Sequence, residues 1–336
     1  MGRIDQTTGT GIPPRSFEDE FLTHPGDNEW WYCTGFLTDE EERQYAFQFT
    51  IASIRILGVP FHLLLTSLTD LESSRHFYGQ QPAFLGHGIT ATAKETTFGD
   101  RAHVEYRPNE RSSMGDMRLG IRDSNFELKL HMSATKPPVW HCDNGVLQMG
   151  IANDPRQVTY YYSFTHLLAA GLLDLDGQRR RVHGQVWFDR QGGPFTPTDV
   201  RTNWEWFSLR FFDDSELMLF SFPQTGLRDG TSIAPGGESR RVNDFEIAPR
   251  GFLTESSTGY RFSQGWDVHI PGEAGSPDED YVLTPATDGM YNVFFYELLA
   301  DVQRPDGELV GRAFVELLPG ARNDHMDVRL AFSRRG

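Results

Sequence analysis

One pattern repeats along this chain: a run of seven to nine residues rich in Val, Ile, Thr, Tyr, Phe and Trp, closed by residues that reverse direction. Glu29–Leu37, Gln44–Ala52, Asn125–Met132, Gln157–Phe164, Val182–Phe188, Trp204–Phe211 and Glu216–Phe222 are such runs. Turn signals stand between or beside them: Thr38-Asp39, Asp143-Asn144-Gly145, Asp176-Gly177, Asp213-Asp214 and Pro305-Asp306-Gly307. No stretch sustains apolar residues at i, i+3, i+4 and i+7, so helices are not what the sequence encodes. Short strands joined by tight turns form antiparallel hairpins, and a long meander of them disposes of its edges best by closing into barrels. The expected fold is all-β, built from antiparallel β-barrels.

At 336 residues the chain is long enough for two such domains. Gly, Pro and Thr cluster in Gln191–Thr202 between two aromatic-rich strands, which predicts a boundary there, with domains at 16–198 and 199–336. A second set of strands is expected through Arg241–Ile247, Tyr260–Ile270, Met290–Val302 and Glu308–Leu318. The polar, Gly/Pro-rich stretches Asp229–Ser239 and Pro271–Glu279 read as loops, either lids or plain connections.

Composition narrows the function classes. Lys plus Arg is 31 against 47 for Asp plus Glu, a formal charge of −16 that would repel a phosphate backbone or an anionic membrane surface. No nucleic-acid partner is expected. No run approaches the roughly 20 apolar residues that span a bilayer, and MGRIDQTTGTGIPP lacks the apolar core of a signal peptide, so a cytoplasmic protein without membrane insertion is expected. Cys33 and Cys142 stand far apart and read as small buried hydrophobes. The eleven histidines show neither HExxH nor i, i+2 or i, i+4 spacing, and GxxxxGK[ST], strand-linked GxGxxG and GxSxG are absent. The expectation is chemistry or binding with no metal and no cofactor.

Large aromatics sit beside isolated polar groups on the presumed strands. Strand alternation puts Trp204 and Trp206 on one face with Glu205 on the other, and puts Trp187 on the same face as Asp189. Burial beside an indole inside a barrel would disfavour the ionised form of Asp189 and suit it to donate a proton near neutral pH. The plain alternative is a strand-end Asp making a turn before Gln191-Gly192-Gly193. Glu29, entering an aromatic strand in HPGDNEWW, is either a hydrogen-bonding anchor in a pocket or a solvated strand-start charge. The aromatic stripes serve a core or an apolar, polyene-shaped cavity.

In order, HPGDNEWWYCTG, YAFQFT, TKPPVWHCDNG, YYYSF, VHGQVWFDRQGG, WEWFSLRF, ELMLF and FFYELLADVQRPDGELVGRAFVELLPG resemble the carotenoid 1,2-hydratase (hydroxyneurosporene synthase) family of tandem lipocalin-like proteins, from about Phe17 to Leu330. The resemblance implies two lipocalin-like antiparallel β-barrel domains in tandem, with a ligand cavity in or between them. It implies function less narrowly, because the family is similar to polyene hydratases, to cofactor-independent Diels–Alderase-type cyclases of polyketide pathways, and to uncharacterised exported proteins.

The hydratases' Tyr-x-Asp motif followed by His aligns with Trp187-Phe188-Asp189-Arg190, so Asp189 matches while Trp187 and Arg190 depart. A cation paired with Asp189 would make it a poorer acid. By match to the cyclases, Glu29 is the polar anchor of the first barrel with Gln48 on an adjacent strand, Tyr296 falls where relatives carry Trp, and Arg312 offers a cation to an acidic head group. Glu29, Asp189 and Arg312 are thus the candidate catalytic residues, and Trp31, Gln48, Trp187, Gln191, Trp204 and Tyr296 the candidate substrate-binding ones. The function expected first is a cofactor-independent cyclase of a hydrophobic polyketide-like polyene in secondary metabolism, since ring closure needs mainly confinement and a hydrogen bond. An acid-catalysed hydratase of a polyene C=C bond comes second, and a lipocalin-like carrier that leaves its apolar ligand unchanged comes third.

Overall fold

The computed structural model describes residues 21–56, 58–84, 87–109, 112–256, 259–272, 277–287, 290–292 and 295–318. They form two compact units, the second of which takes in His141–Asp143 and Leu147–Val158 as well as the chain from Phe195 onward. Among the described residues the one helical element is a three-residue 3-10 turn, Val200–Thr202. No helix there is long and apolar enough to cross a membrane.

The first sheet holds β1 (Asn28–Asp39), β2 (Gln44–Ile56), β3 (Val59–Asp70), β4 (Arg75–Phe84), β5 (Ile89–Ala91), β6 (Glu95–Phe98), β7 (Ala102–Asn109), β8 (Ser112–Arg122), β9 (Phe126–Ala134), β10 (Val139–Trp140), β11 (Val146–Gln148), β12 (Val158–Leu175) and β13 (Gln178–Gly193). Its pairing order is β4-β3-β2-β1-β13-β12-β9-β8-β7-β6-β5, with β10 and β11 also on β12. Nearly every neighbour is a hairpin partner, and the first strand pairs with the last. The two ends of the path, β4 and β5, are consecutive in the chain: five Cα steps from Phe84 to Ile89 reach no more than about 18 Å. A sheet so tethered must curl. The Nδ1 of His62 on β3 accepts from the N–H groups of Gly88 and Ile89 at 3.1 and 3.0 Å, drawing the seam together.

The second sheet repeats this topology with β14 (Glu205–Phe211), β15 (Glu216–Phe222), β16 (Leu227–Ile233), β17 (Ser239–Val242), β18 (Glu246–Thr254), β19 (Arg261–Ile270), β20 (Glu279–Pro285), β21 (Met290–Asn292), β22 (Phe295–Gln303) and β23 (Leu309–Leu317). Its order is β17-β16-β15-β14-β23-β22-β20-β19-β18, with β21 on β22, so again first pairs with last and the ends are chain neighbours. The all-β reading, two lipocalin-like antiparallel barrels in tandem, is what the chain adopts.

Three expectations about segments need correction. Gln191, Gly192 and Gly193 are not linker but the end of β13, paired with β1 and β12. Gly192 is there because a Cβ would lie 2.5 Å from that of Glu29. The polar stretch Asp229–Ser239 begins as strand, with only Ala234–Glu238 turning between β16 and β17. Arg241–Ile247 spans the ends of two strands, β17 and β18, instead of forming one.

Inside the first barrel lies one contiguous cluster of buried side chains, including Trp31, Cys33, Leu37, Phe47, Phe49, Leu128, Leu130, Phe164, Val186 and Phe188. Phe21 closes one end by stacking on Phe188 at 5.7 Å between ring centroids and packing against Tyr106. Strands facing water on one side should alternate in burial, and β9 does so. By contrast β3 is buried continuously from Phe61 to Thr69 and β13 from Val186 to Gly193, so these strands are covered on both faces.

Candidate functional site

Alternation along β13 sends Phe188 and Arg190 into the first barrel and Trp187, Asp189 and Gln191 onto its outer face. In register, Asp189 lies between Tyr32 on β1 and Ser163 on β12, and Tyr32 faces Thr50 on β2. The neighbouring row runs from Trp187 through Thr34 to Gln48 and Ser67. These outward side chains are buried all the same: Asp189 is 3% exposed, Gln48 3%, Ser163 0% and Gln191 2%. A buried polar face on the outside of a barrel is the unusual feature of the molecule.

Within it, the Ser163 hydroxyl donates to Asp189 Oδ1 and the Trp187 indole N–H donates to the same oxygen at 2.5 Å. Two donors on one oxygen fix the plane of the carboxyl group. Gln191 Nε2 donates to Thr159 Oγ1 at 2.7 Å, and Gln48 Nε2 donates to Thr50 Oγ1 at 2.9 Å while its Oε1 accepts from Ser67. The structure thus gathers four of the predicted residues, Asp189, Trp187, Gln191 and Gln48, on one face. That face is outside the barrel, not inside as expected for Asp189, because the inward positions of β13 go to Val186, Phe188 and Arg190.

Glu29 and Trp31 face the other way. Arg190 Nη2 donates to Glu29 Oε2 at 2.6 Å, and its guanidinium stacks 4.1 Å above the Trp31 ring. The same nitrogen donates to Leu22 O at 2.7 Å, and Nη1 donates to Gln191 O at 3.0 Å. The backbone N–H of His24 donates to both Glu29 oxygens, at 3.1 and 3.2 Å. Burial pushes the Glu29 carboxyl up, but the Arg190 charge and the hydrogen bonds from His24 and Arg190 outweigh it and hold the group below its ordinary value. Such a saturated pair fastens the segment around Leu22 to the barrel. Arg190, one residue from Asp189 on the strand, projects to the opposite face and there pairs with Glu29.

In the second unit, Trp204 Nε1 donates to Glu316 Oε1 at 2.8 Å. Arg312 is half-buried on the same face of β23 as Glu316, opposite Arg210 and Asp301 in register. Tyr296 points to the other face, towards the barrel interior, and stacks on Phe262 at 5.1 Å. Beside it the Ser263 hydroxyl donates to Glu205 Oε1 at 2.5 Å, a buried acid–hydroxyl pair on the inner face. The sequence reading separated Glu205 from its flanking tryptophans correctly but gave it no role. It noted Ser163 only as a polar group following Tyr160, Tyr161 and Tyr162, and it missed Thr34, Thr50, Ser67 and Ser263. Among the described residues no three His, Cys, Asp or Glu side chains converge as a metal site would require.

Residues 10–320 match the family model described as AttH-like. No curated protein sequence matches the chain. Among solved structures, the Nitrosomonas europaea protein described as an AttH is similar with a TM-score of 0.76 at 21% identity, over 91% of this chain and 97% of that one. Kievitone hydratase from Nectria haematococca is similar with a TM-score of 0.71 at 15% identity, over 94% and 96%. CghA in complex with Sch210972 is similar with a TM-score of 0.55 at 10% identity, over 89% and 90%. These likenesses establish the shared tandem-barrel fold, and the resemblance read from the motifs is borne out. With the family match covering all but the two ends of the chain, the protein belongs to the AttH-like family.

Proposed function

We propose that the protein is a cofactor-independent enzyme that adds water across a carbon–carbon double bond of an unsaturated small molecule, with Asp189 giving and taking the proton. The observation that carries this reading is the placement of Asp189, buried and clamped by Ser163 and Trp187 on the face of β13 opposite to Arg190. One of the two grounds for setting hydration second, beside the smaller demands of a ring closure, was a cation next to the acid, and Arg190 pairs with Glu29 on the opposite face. In the hydration step, protonated Asp189 transfers its proton to the less substituted alkene carbon, leaving a carbocation on the other. Water adds there and returns a proton to the carboxylate, so the enzyme ends as it began. The likeness to kievitone hydratase, over more of this chain and with a higher TM-score than CghA, supports the same choice.

Cyclisation of a hydrophobic polyketide-like polyene is the second reading, supported by the aromatic-rich strands and by the likeness to CghA with Sch210972. It would use the site chiefly to fold a flexible chain into a reactive conformer. Incubation with kievitone as the probe, in deuterated and in ¹⁸O-labelled water, separates the readings. Hydration adds one water, fixes deuterium on carbon and incorporates ¹⁸O. A pericyclic ring closure leaves the mass unchanged and takes up no solvent isotope, and a carrier returns the probe intact.

A further inference from the structure

We infer that the protein associates head to tail with a second copy of itself: an exposed leucine stripe on the first unit receives the acidic, phenylalanine-tipped hairpins of a neighbouring chain's second unit. The inference is independent of the reaction proposed above. It starts from β12. Beyond the bulge between Phe164 and Leu167, the inward positions of this strand are Leu167, Ala169 and Leu173, which leaves Leu168, Ala170 and Leu172 pointing outward. All three are exposed, the leucines by 54% and 38%. Single exposed leucines are ordinary, but three consecutive outward positions without a polar side chain form a stripe. Along this length β12 is paired with β13 on one side and β9 on the other, so its backbone offers no free edge and a partner must be met by side chains.

The side chains bracketing the stripe share one sign. In register, Ala170 lies between His131 and His183, with Arg118 on β8 beyond His131, and Leu172 lies between Lys129 and Arg181. All five are exposed. On these strands every ionisable side chain of the two rows is basic, in a chain of formal charge −16. Acids begin one row further on, where Glu127 meets Lys129 at 2.6 Å and Asp174 meets Arg179 at 3.0 Å, while Glu40 lies 3.8 Å from Arg181. Among the described residues Arg118 has no ion-pair partner, since Glu105, opposite it on β7, is bridged to Arg107 at 2.9 Å.

The second unit carries the complement. Its β14–β15 and β22–β23 turns adjoin, the Phe212 N–H donating to Val310 O at 2.9 Å. Phe212 is 63% exposed and Leu309 42%. Around them Asp213, Asp214, Asp306 and Glu308 are exposed too, against one cation, Arg304, 3.2 Å from Glu308. At about 3.3 Å per residue, Leu168 and Leu172 stand about 13 Å apart with only the methyl of Ala170 between them, a dip that admits a phenyl ring. Phe212 seated there removes apolar surface of both chains from water. With strands about 4.8 Å apart, Asp213 and Asp214 then come within reach of Arg118 on one side or Arg181 on the other. A lipid surface fits less well, because basic side chains stand one strand away on both sides of the stripe and leave no apolar band wide enough to enter the acyl region. Stripe and tip are different patches of one chain, so the contact is heterologous and repeats from copy to copy. A contact built on so few side chains belongs with the small, weak interfaces.

Sedimentation equilibrium of the full-length protein from about 10 µM to about 1 mM tests this, a range suited to weak interfaces. The weight-average mass should rise from that of one chain to at least twice that, and raising NaCl from about 50 to about 500 mM should lower it again. Phe212→Ser and Ala170→Arg change exposed positions outside the proposed reaction site. Each variant, with its melting temperature unchanged, should stay at the mass of one chain. Mixed in equal amounts the two should associate again and stop at two chains, since only the intact stripe of one and the intact tip of the other can meet. A wild-type protein still at one chain's mass at about 1 mM overturns the inference and leaves both surfaces to other partners or to solvent. Association unmoved in both variants overturns it as well, and so does a mixture that stays at the mass of one chain.

Discussion

Glu29→Gln separates a structural carboxylate from a catalytic one. Glu29 and Arg190 are 1% and 0% exposed and meet at 2.6 Å. Removing one member of a buried pair leaves the other charge uncompensated and costs about 3–5 kcal/mol. Glutamine keeps an oxygen that can accept from Arg190, and the guanidinium retains Leu22 O, Gln191 O and the Trp31 ring, which places the expected loss near the lower end. For a domain of this size, about 3 kcal/mol lowers Tm by roughly 6–12 °C. Scanning calorimetry should show that drop in the transition of the first unit. Arg190→Met should be worse alone, and the double variant should lose less than the two singles together. Because the folded-state carboxyl lies below its ordinary 4.5, this contribution is fully present above about pH 4.5 and is lost as pH falls below it. Turnover per folded molecule should stay close to wild type. An unchanged melting temperature with lost turnover would refute the structural assignment and return Glu29 to the substrate-anchoring role suggested by its position in HPGDNEWW.

Three further outcomes are expected. His141 is buried in the second unit and desolvation holds it down to about 3, so it stays neutral in the fold while its unfolded form charges below about 6.5. Stability should therefore fall as pH drops from about 6.5, by at most about 1.4 kcal/mol per pH unit. His141→Gln should flatten that limb in urea titrations between pH 6.5 and 5, above the window of Glu29. Ser163→Ala removes one of the two donors on Asp189 Oδ1 and should lower kcat about tenfold, with a pH profile shifted relative to wild type; an unmoved profile would make Ser163 merely structural. Gly184→Ala would place a Cβ 1.9 Å from the Phe36 carbonyl oxygen across the β1–β13 ladder, whereas one at Gly177, in the open β12–β13 turn, meets nothing within 4 Å. The first should abolish soluble expression, and the second should only strain a left-handed backbone by about 1 kcal/mol.

The fold was legible because hairpins are local. Runs such as Gln44–Ala52 alternate so plainly that their strand character can be read, while which face turns inward is shown by the fold: Tyr45, Phe47, Phe49 and Ile51 lie in the core of the first barrel. The site was harder for the same reason. Ala46, Gln48, Thr50 and Ala52 look like an ordinary water-facing side, and nothing in a period of two distinguishes a polar face that is solvated from one that is buried. Long-range register was also hidden. That Ser163 lies opposite Asp189 depends on which strands pair, and that Arg190 binds Glu29 depends on the first strand meeting the last. The placement of Trp187 with Asp189 needed only alternation, and there the sequence reading holds.

The most direct measurement is product mass from kievitone in ¹⁸O-labelled and deuterated water, for wild type and Asp189→Asn at matched folded concentration. A product heavier by one labelled water and carrying one carbon-bound deuterium, formed roughly 10²–10⁴ times more slowly by the variant, is the predicted result. A product of unchanged mass, or an Asp189→Asn enzyme as fast as wild type, would contradict the assignment of proton transfer to the buried outer face of the first barrel.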